Sequence, residues 1–288
     1  MIENAPKFDP VKYKKTTLEQ WESAAEAWHR WGTLLTTWLD YPTQVMLDMA
    51  SIGPGSHVLD IAAGAGDQTM VVAERIGKQG RVLATDISPS ILEFAAARAS
   101  QAGFGNVETQ TLDGEELSTL KKGSFDAAIS RVGMIYFPDQ QRALAGMHHA
   151  LKEGGKVAAM VYSTAERNGF FSIPVSIIRR RAMLPPPLPG QPGPFSLGGD
   201  GVLEDALRKA GFKNVEVKVI DAPLCVPTAI ECLNFEKESF GALHQMLSGL
   251  ADAEKEAAWV EIEEELQKFQ TADGFSGPCE FVIAAGTK

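Results

Sequence analysis

The stretch that decides the fold is Val58-Leu59-Asp60-Ile61-Ala62-Ala63-Gly64-Ala65-Gly66-Asp67-Gln68-Thr69. A short apolar run from His57 ends at Ile61, glycines follow at two-residue spacing, and an apolar helical pattern runs from Met70 to Ile76. A run of that length closed by glycine suits a buried strand. The glycines let the chain turn sharply and let its backbone approach a ligand with no Cβ in the way. Strand, turn and helix in this order are the first unit of a βα repeat.

The alternation continues outward. Arg81 to Thr85 reads as a second strand; Ser88 can cap and Pro89 can open an alanine-rich helix that ends at Gly103. Val107 to Thr111, Phe125 to Ile129 and Lys156 to Tyr162 read as the third, fourth and fifth strands. A helix starting at Pro138-Asp139 and closed by Gly154-Gly155 separates the last two. Apolar strands alternating with helices predict a doubly wound α/β core, a mostly parallel sheet covered on both faces. Two strands come late. Val215, Val217 and Val219 alternate with charged residues and predict one exposed face, and Cys279 to Ala285 is the last strand.

The rest decorates that core. Residues 222–277 are too long for an ordinary connection and form an insertion, with Trp259, Ile262, Leu266 and Phe269 on one helical stripe. A second insertion, about 163–200, contains the proline-rich segment from Leu184 to Pro194, read as a stiff surface connector. Upstream, residues 16–50 read as helical, and one helical face could carry Trp21, Trp28, Trp31 and Trp38. The expected organisation is a helical lid over 1–50 and a core over 51–288 with two cap insertions.

Composition limits the function. The chain has 288 residues, a net charge of -10, 44% hydrophobic residues and three cysteines. One large domain or two small ones can bury a core without disulfide or metal staples. No apolar run approaches the roughly 18 residues of a membrane span, and Met1 to Lys7 holds no leader-like apolar stretch, so a cytoplasmic protein is expected. Cys225, Cys232 and Cys279 are odd in number and form no CxxC, which argues against a disulfide framework. The acidic balance argues against nucleic acid, although residues 251–270, with seven acids against two lysines, carry half of it. No His, Asp or Glu grouping has metal-ligand spacing. The sequence assigns no oligomeric state.

The glycine turn is shared by several nucleotide sites, and its details discriminate. Thr69 stands at the third small position of the dinucleotide fingerprint G-x-G-x-x-G/A. Asp60 would repel a pyrophosphate but attract a ligand bearing an ammonium and a sulfonium. Asp86, ending the second strand, can accept both hydroxyls of a ribose in either case. The turn therefore favours S-adenosylmethionine over NAD, with an NAD-dependent oxidoreductase as the alternative. In Leu112-Asp113-Gly114-Glu115 the aspartate can accept from an adenine amino group or cap a short helix.

These motifs, in order, resemble the class I S-adenosylmethionine-dependent methyltransferases, in the small-molecule branch typified by ubiquinone and menaquinone biosynthesis. The resemblance rests on Asp60, Gly64 and Gly66, on Ala84-Thr85-Asp86-Ile87-Ser88-Pro89, on Asp113, and on Ser124 to Ser130. It extends through Leu151 to Val157, Ala210-Gly211-Phe212 and Val282 to Gly286. It implies a Rossmann-like, seven-stranded sheet with the last strand antiparallel between the fifth and sixth. It implies that Asp60, Gly64 and Gly66 hold the methionine moiety, Asp86 the ribose and Asp113 the adenine amino group, with Ile87 beside the base. Thr69, Ile91, Gly114 and Arg131 are further candidates for that site. Where the family's loop has its first glycine, this chain has Ala62.

Methyl transfer from a sulfonium is governed by alignment, and a base is needed only if the acceptor must lose a proton. His29 is the candidate base. Arg131 can contact a ligand, an anionic acceptor or a structural partner. Trp28, Trp31, Met134, Tyr136, Phe170, Phe171 and Phe195 are the candidate walls of a pocket for a small hydrophobic acceptor, or core residues. Methylation on oxygen is the leading expectation, ahead of carbon or nitrogen; a binding module that has lost catalysis is the remaining alternative.

Overall fold

The computed structural model describes residues 8–188 and 190–288. Met1 to Lys7, the stretch expected to hold no leader, and Pro189 of the connector lie outside the described residues. Two helices, α1 (Pro10–Arg30) and α2 (Gly32–Met49), lead into β1 (His57–Ile61). Then come α3 (Asp67–Ile76), β2 (Arg81–Asp86), α4 (Pro89–Gln101), β3 (Val107–Thr111), β4 (Phe125–Arg131), α5 (Gln140–Ala150) and β5 (Leu151–Tyr162). Beyond these lie α6 (Gly169–Arg181), α7 (Val202–Lys209), β6 (Lys213–Asp221), β7 (Leu224–Val226), α8 (Ala229–Ser239) and α9 (Gly241–Leu247). The chain finishes with α10 (Asp252–Leu266), β8 (Gln270–Thr271), β9 (Gly274–Gly277) and β10 (Glu280–Thr287).

The main sheet has the order β3-β2-β1-β4-β5-β10-β6. β10 runs antiparallel between β5 and β6, and the other pairs are parallel. This is the seven-stranded, mostly parallel, Rossmann-like arrangement expected. Val58, Leu59, Ala128, Ile129, Val157 and Ile283 are fully buried, because helices cover both faces and leave no solvent side to the central strands. From β1 the chain winds one way to β2 and β3 and later the other way through β4 and β5. The order therefore reverses between β1 and β4, and a crevice opens there at the carboxyl ends of the strands.

Four local expectations are revised. The helix before the fifth strand ends at Ala150, not at Gly154-Gly155: β5 already pairs Leu151 with Phe125, and the glycines lie within it, tied to the carboxyl-terminal Lys288. The N-terminal region is two helices that meet at Trp31, not one helix carrying four tryptophans on one face. The valines of β6 are not tucked inward, since Val217 and Val219 are 40% and 57% exposed on this edge strand. Finally, the insertion after β6 contains a small antiparallel sheet, β7-β9-β8, beside its helices. Its α10 does bury Trp259, Ile262 and Leu266. Among the described residues, no helix is long and apolar enough to cross a membrane.

Candidate active site

The crevice holds a cavity of about 120 Å³. Its floor is the turn after β1, where Ala62, Ala63, Gly64 and Ala65 line it. Gly64 is left-handed at φ +57, as a turn this tight requires. Ala62 is also left-handed, at φ +55, and its methyl is accommodated because residue 133 is glycine: a Cβ there would come within 2.3 Å of that methyl. Val132, a β-branched residue at φ +62, lines the same floor. Strained non-glycine backbone of this kind costs about 1–3 kcal/mol per residue and persists only where its surroundings enforce it.

Asp86 ends β2 at the cavity wall. One of its oxygens accepts from the Gly64 amide and the other from the Ser88 amide, each at 3.0 Å. Burial raises its pKa, and those amides pull the other way. Ile87, Ile91 and Leu112 supply apolar wall beside it, with Asp113 and Gly114 beyond. Asp113 and Glu115 both pair with Lys14 of α1, at 2.7 Å. Burial alone would lower the Lys14 pKa, but the two carboxylates override it and the net shift is upward. Glu22 of α1 accepts from Ser88 and Ser90 at the start of α4. Helix α1 is thereby tied across the cavity mouth at two points.

Asp60, Gly66 and Thr69 do not line the cavity. Asp60 is fully buried behind the turn, where it accepts from the Thr69 hydroxyl at 2.6 Å and Gln68 Nε2 at 3.1 Å. Burial pushes its pKa up to about 6, against the pull of those donors. Thr69 is occupied in that bond. Gly66 starts α3 at φ +85 with its α-carbon against Ala95, since an added Cβ would lie 2.9 Å from the Ala95 Cβ. These three shape the turn from beneath; Gln68, which had not been singled out, faces the cavity.

Much of the remaining lining is aromatic and apolar, and Trp21 and Trp28 pack against Ile91 and Ala65 beside the turn. Trp21 and Trp28 come from α1, Leu35, Trp38 and Leu39 from α2, and Phe240 from the segment between α8 and α9. Trp28 Nε1 donates to the Ser239 carbonyl at 3.1 Å and Trp38 Nε1 to the Ala222 carbonyl at 2.7 Å, so the lid helices are stitched to the insertion. Tyr136 and Tyr162 complete the wall, and burial raises both phenol pKa values. Arg131, at the end of β4, donates from Nη1 to Thr43 Oγ1 at 3.0 Å, and burial lowers its pKa.

Several expected residues lie elsewhere. His29 is exposed and stacks on Phe94, ring centroids 4.6 Å apart, because one residue past Trp28 turns a side chain about 100° around the helix. Trp31 sits at the helix break and donates to Glu238. Met134, Phe170 and Phe171 are fully packed core residues, and Phe195 packs on Tyr162 and Phe171 behind the wall. Of the proposed acceptor residues, Trp28 and Tyr136 face the cavity. Among the described residues, no group of three or more His, Cys, Asp or Glu could hold a metal ion.

Residues 36–176 match the ubiE/COQ5 methyltransferase family. Over that segment, just under half of the chain, the sequence is similar to the members of this family. The donor of this ubiE/COQ5-type family is S-adenosylmethionine. A ubiquinone/menaquinone biosynthesis C-methyltransferase UbiE of Hydrogenovibrio crunogenus is 33% identical over 41% of this chain and 46% of its own length. The chain spans about half the length of the UbiE relatives it matches. The nocamycin O-methyltransferase of Saccharothrix syringae is 27% identical over 64% of this chain and 69% of its own. A phosphoethanolamine N-methyltransferase of Haemonchus contortus, solved with phosphomonomethylethanolamine and S-adenosylhomocysteine, gives a TM-score of 0.54. At 19% identity over 86% of this chain and 52% of that one, the likeness is one of fold. The lining is compatible with the family's donor, since it offers a buried carboxylate at the end of β2, a left-handed glycine beside it and the apolar side chains of Ile87, Ile91 and Leu112.

Proposed function

We propose that this protein transfers a methyl group from S-adenosylmethionine to a small hydrophobic acceptor, most simply on oxygen. The observation that supports it is one cavity with two chemically different kinds of lining: the carboxylate of Asp86 with the turn at Gly64, and a set of tryptophan, leucine and phenylalanine side chains. When bound, the donor supplies an electrophilic methyl on a sulfonium. The chain's own work is to hold, align and dry. Asp86 accepts hydrogen bonds from the ribose hydroxyls, Ile87 and Leu112 flank the base, and Asp113 and Gly114 close its far edge. Trp28, Trp38, Leu39 and Phe240 seat the acceptor and exclude water. Proximity and orientation of this kind account for much of such a reaction's acceleration. The printed activity of the nocamycin relative supports oxygen as the acceptor atom.

Calorimetry with S-adenosylhomocysteine tests the reading. The wild type binds it, and Asp86→Asn loses two charge-assisted hydrogen bonds, which raises Kd by about a hundredfold or more. Circular dichroism checks that the variant is folded. A folded wild type that fails to bind S-adenosylhomocysteine sinks the proposal; tight NADH binding in its place would favour an oxidoreductase.

A further inference from the structure

The cavity contains one charge the donor pocket does not use. Asp113 and Glu115 pair with Lys14, Asp67 pairs with Arg98, and Asp86 accepts from two backbone amides. Every carboxylate lining the cavity is therefore engaged, and none stands ready to take a proton. Among the described residues that line it, Arg131 is the cation with no carboxylate within ion-pair distance; Asp67 and Asp60 act on it only from farther away. Its one hydrogen bond, to the buried Thr43 hydroxyl, fixes the guanidinium and leaves the remaining donors of its planar fork unspent. Arg131 is half-buried, and Asp67 and Asp60 offset part of its charge from a distance, so its unspent donors remain available to a ligand anion.

Topology separates that anion from the donor. Gly64 and Asp86 lie at the ends of β1 and β2, whereas Arg131 ends β4 and Tyr162 ends β5, on the other side of the switch point. Trp38 and Leu39 on α2, the helix that carries Thr43, line the same end. An anion on Arg131 would thus belong to a molecule whose body is apolar or aromatic. A planar guanidinium matches a carboxylate with two parallel hydrogen bonds.

We infer that the acceptor is an apolar or aromatic carboxylic acid, bound as its carboxylate to Arg131 and methylated there to a methyl ester. The inference rests on the methyltransferase reading above. A carboxylate oxygen forms the new O–C bond with its own electron pair, the C–S bond breaks, and that pair leaves on sulfur as a neutral thioether. No proton moves, which accounts for a cavity without a free base. Arg131 orients the carboxylate, and Thr43 positions Arg131.

Binding to the protein saturated with S-adenosylhomocysteine is the test, using benzoate, 2-naphthoate and dodecanoate, each against its neutral amide. At least one acid binds the wild type about tenfold or more tightly than its amide, the worth of a charge-assisted pair. Arg131→Gln abolishes that preference and leaves the Kd for S-adenosylhomocysteine within about twofold of wild type. Arg131→Lys, which keeps the cation, retains part of the preference, and Thr43→Val reduces it; thermal melts confirm folding of each. The inference is overturned if no acid outcompetes its amide, or if the preference survives in Arg131→Gln. It is equally overturned if Arg131→Gln loses S-adenosylhomocysteine instead, which would make Arg131 a partner of the donor. A wild type that binds no S-adenosylhomocysteine at all is a different failure, that of the methyltransferase reading.

Discussion

Glu236, in the middle of α8, offers a measurable consequence of burial. It is fully buried, its Oε1 3.9 Å from the Cys232 thiol, and its Oε2 has no hydrogen-bond partner among the described residues. Burial lifts its pKa well above the ordinary 4.5, only partly offset by the Cys232 contact. A carboxyl raised on folding contributes its full stability below the unfolded pKa. Above that point the unfolded chain releases the proton and the folded chain keeps it, so stability falls by about 1.4 kcal/mol per pH unit. The fall ends when pH passes the raised folded pKa. Glu236→Gln keeps the shape and removes the titration. Between pH 5 and pH 6 the variant therefore gains about 1.2 kcal/mol on the wild type, if the folded group stays protonated across that interval. An unpaired amide adds an offset, roughly 1–3 kcal/mol, but the same at every pH. Urea unfolding of both proteins across this range reads the difference, and other titrating groups cancel in the subtraction. A gap independent of pH, or a wild type that gains on the variant as pH rises, would refute the reasoning.

Two further outcomes are expected. Gly66→Ala should cost about 2–4 kcal/mol, from a left-handed alanine and from a methyl forced against the Ala95 backbone 3.0 Å away; an unchanged melting temperature would contradict it. Lys14→Met should loosen α1, raising hydrogen exchange over residues 10–30. It should also speed S-adenosylhomocysteine dissociation roughly fivefold, the equivalent of about 1 kcal/mol for a partly exposed pair. Unaltered exchange in that helix would show that the ion pairs do not hold it.

What could be read from the sequence was local. The strands around the glycine turn announced themselves as apolar runs ended by turn residues. Ala62, Gly64, Asp86, Ile87 and Asp113 lie at strand ends, where backbone direction alone brings a residue to the crevice. Depth was not legible. Asp60 and Thr69 satisfy each other beneath the turn, and only their mutual hydrogen bond reveals that they face away from the cavity. Lys14, Leu35 and Phe240 reach it from distant segments and carry no local signal. Tyr162 could have been found, since it ends a central strand beside the switch point. The small sheet β7-β9-β8 has strands of 3, 4 and 2 residues, too short for any period to register.

The stitching of the lid helices to the insertion gives the protein a built-in optical gauge. Of its five tryptophans, Trp21, Trp28, Trp31 and Trp38 belong to α1, α2 and their junction. Trp28, Trp31 and Trp38 each anchor an indole N–H on the 222–277 segment. Ultraviolet emission from this chain is therefore dominated by one seam. Parting of that seam would hydrate three indoles together and move the emission to the red, with no label and no engineered chromophore. The same light would report a ligand slid between Trp28 and Trp38 as quenching, so opening and filling of the cavity could be followed separately in one cuvette.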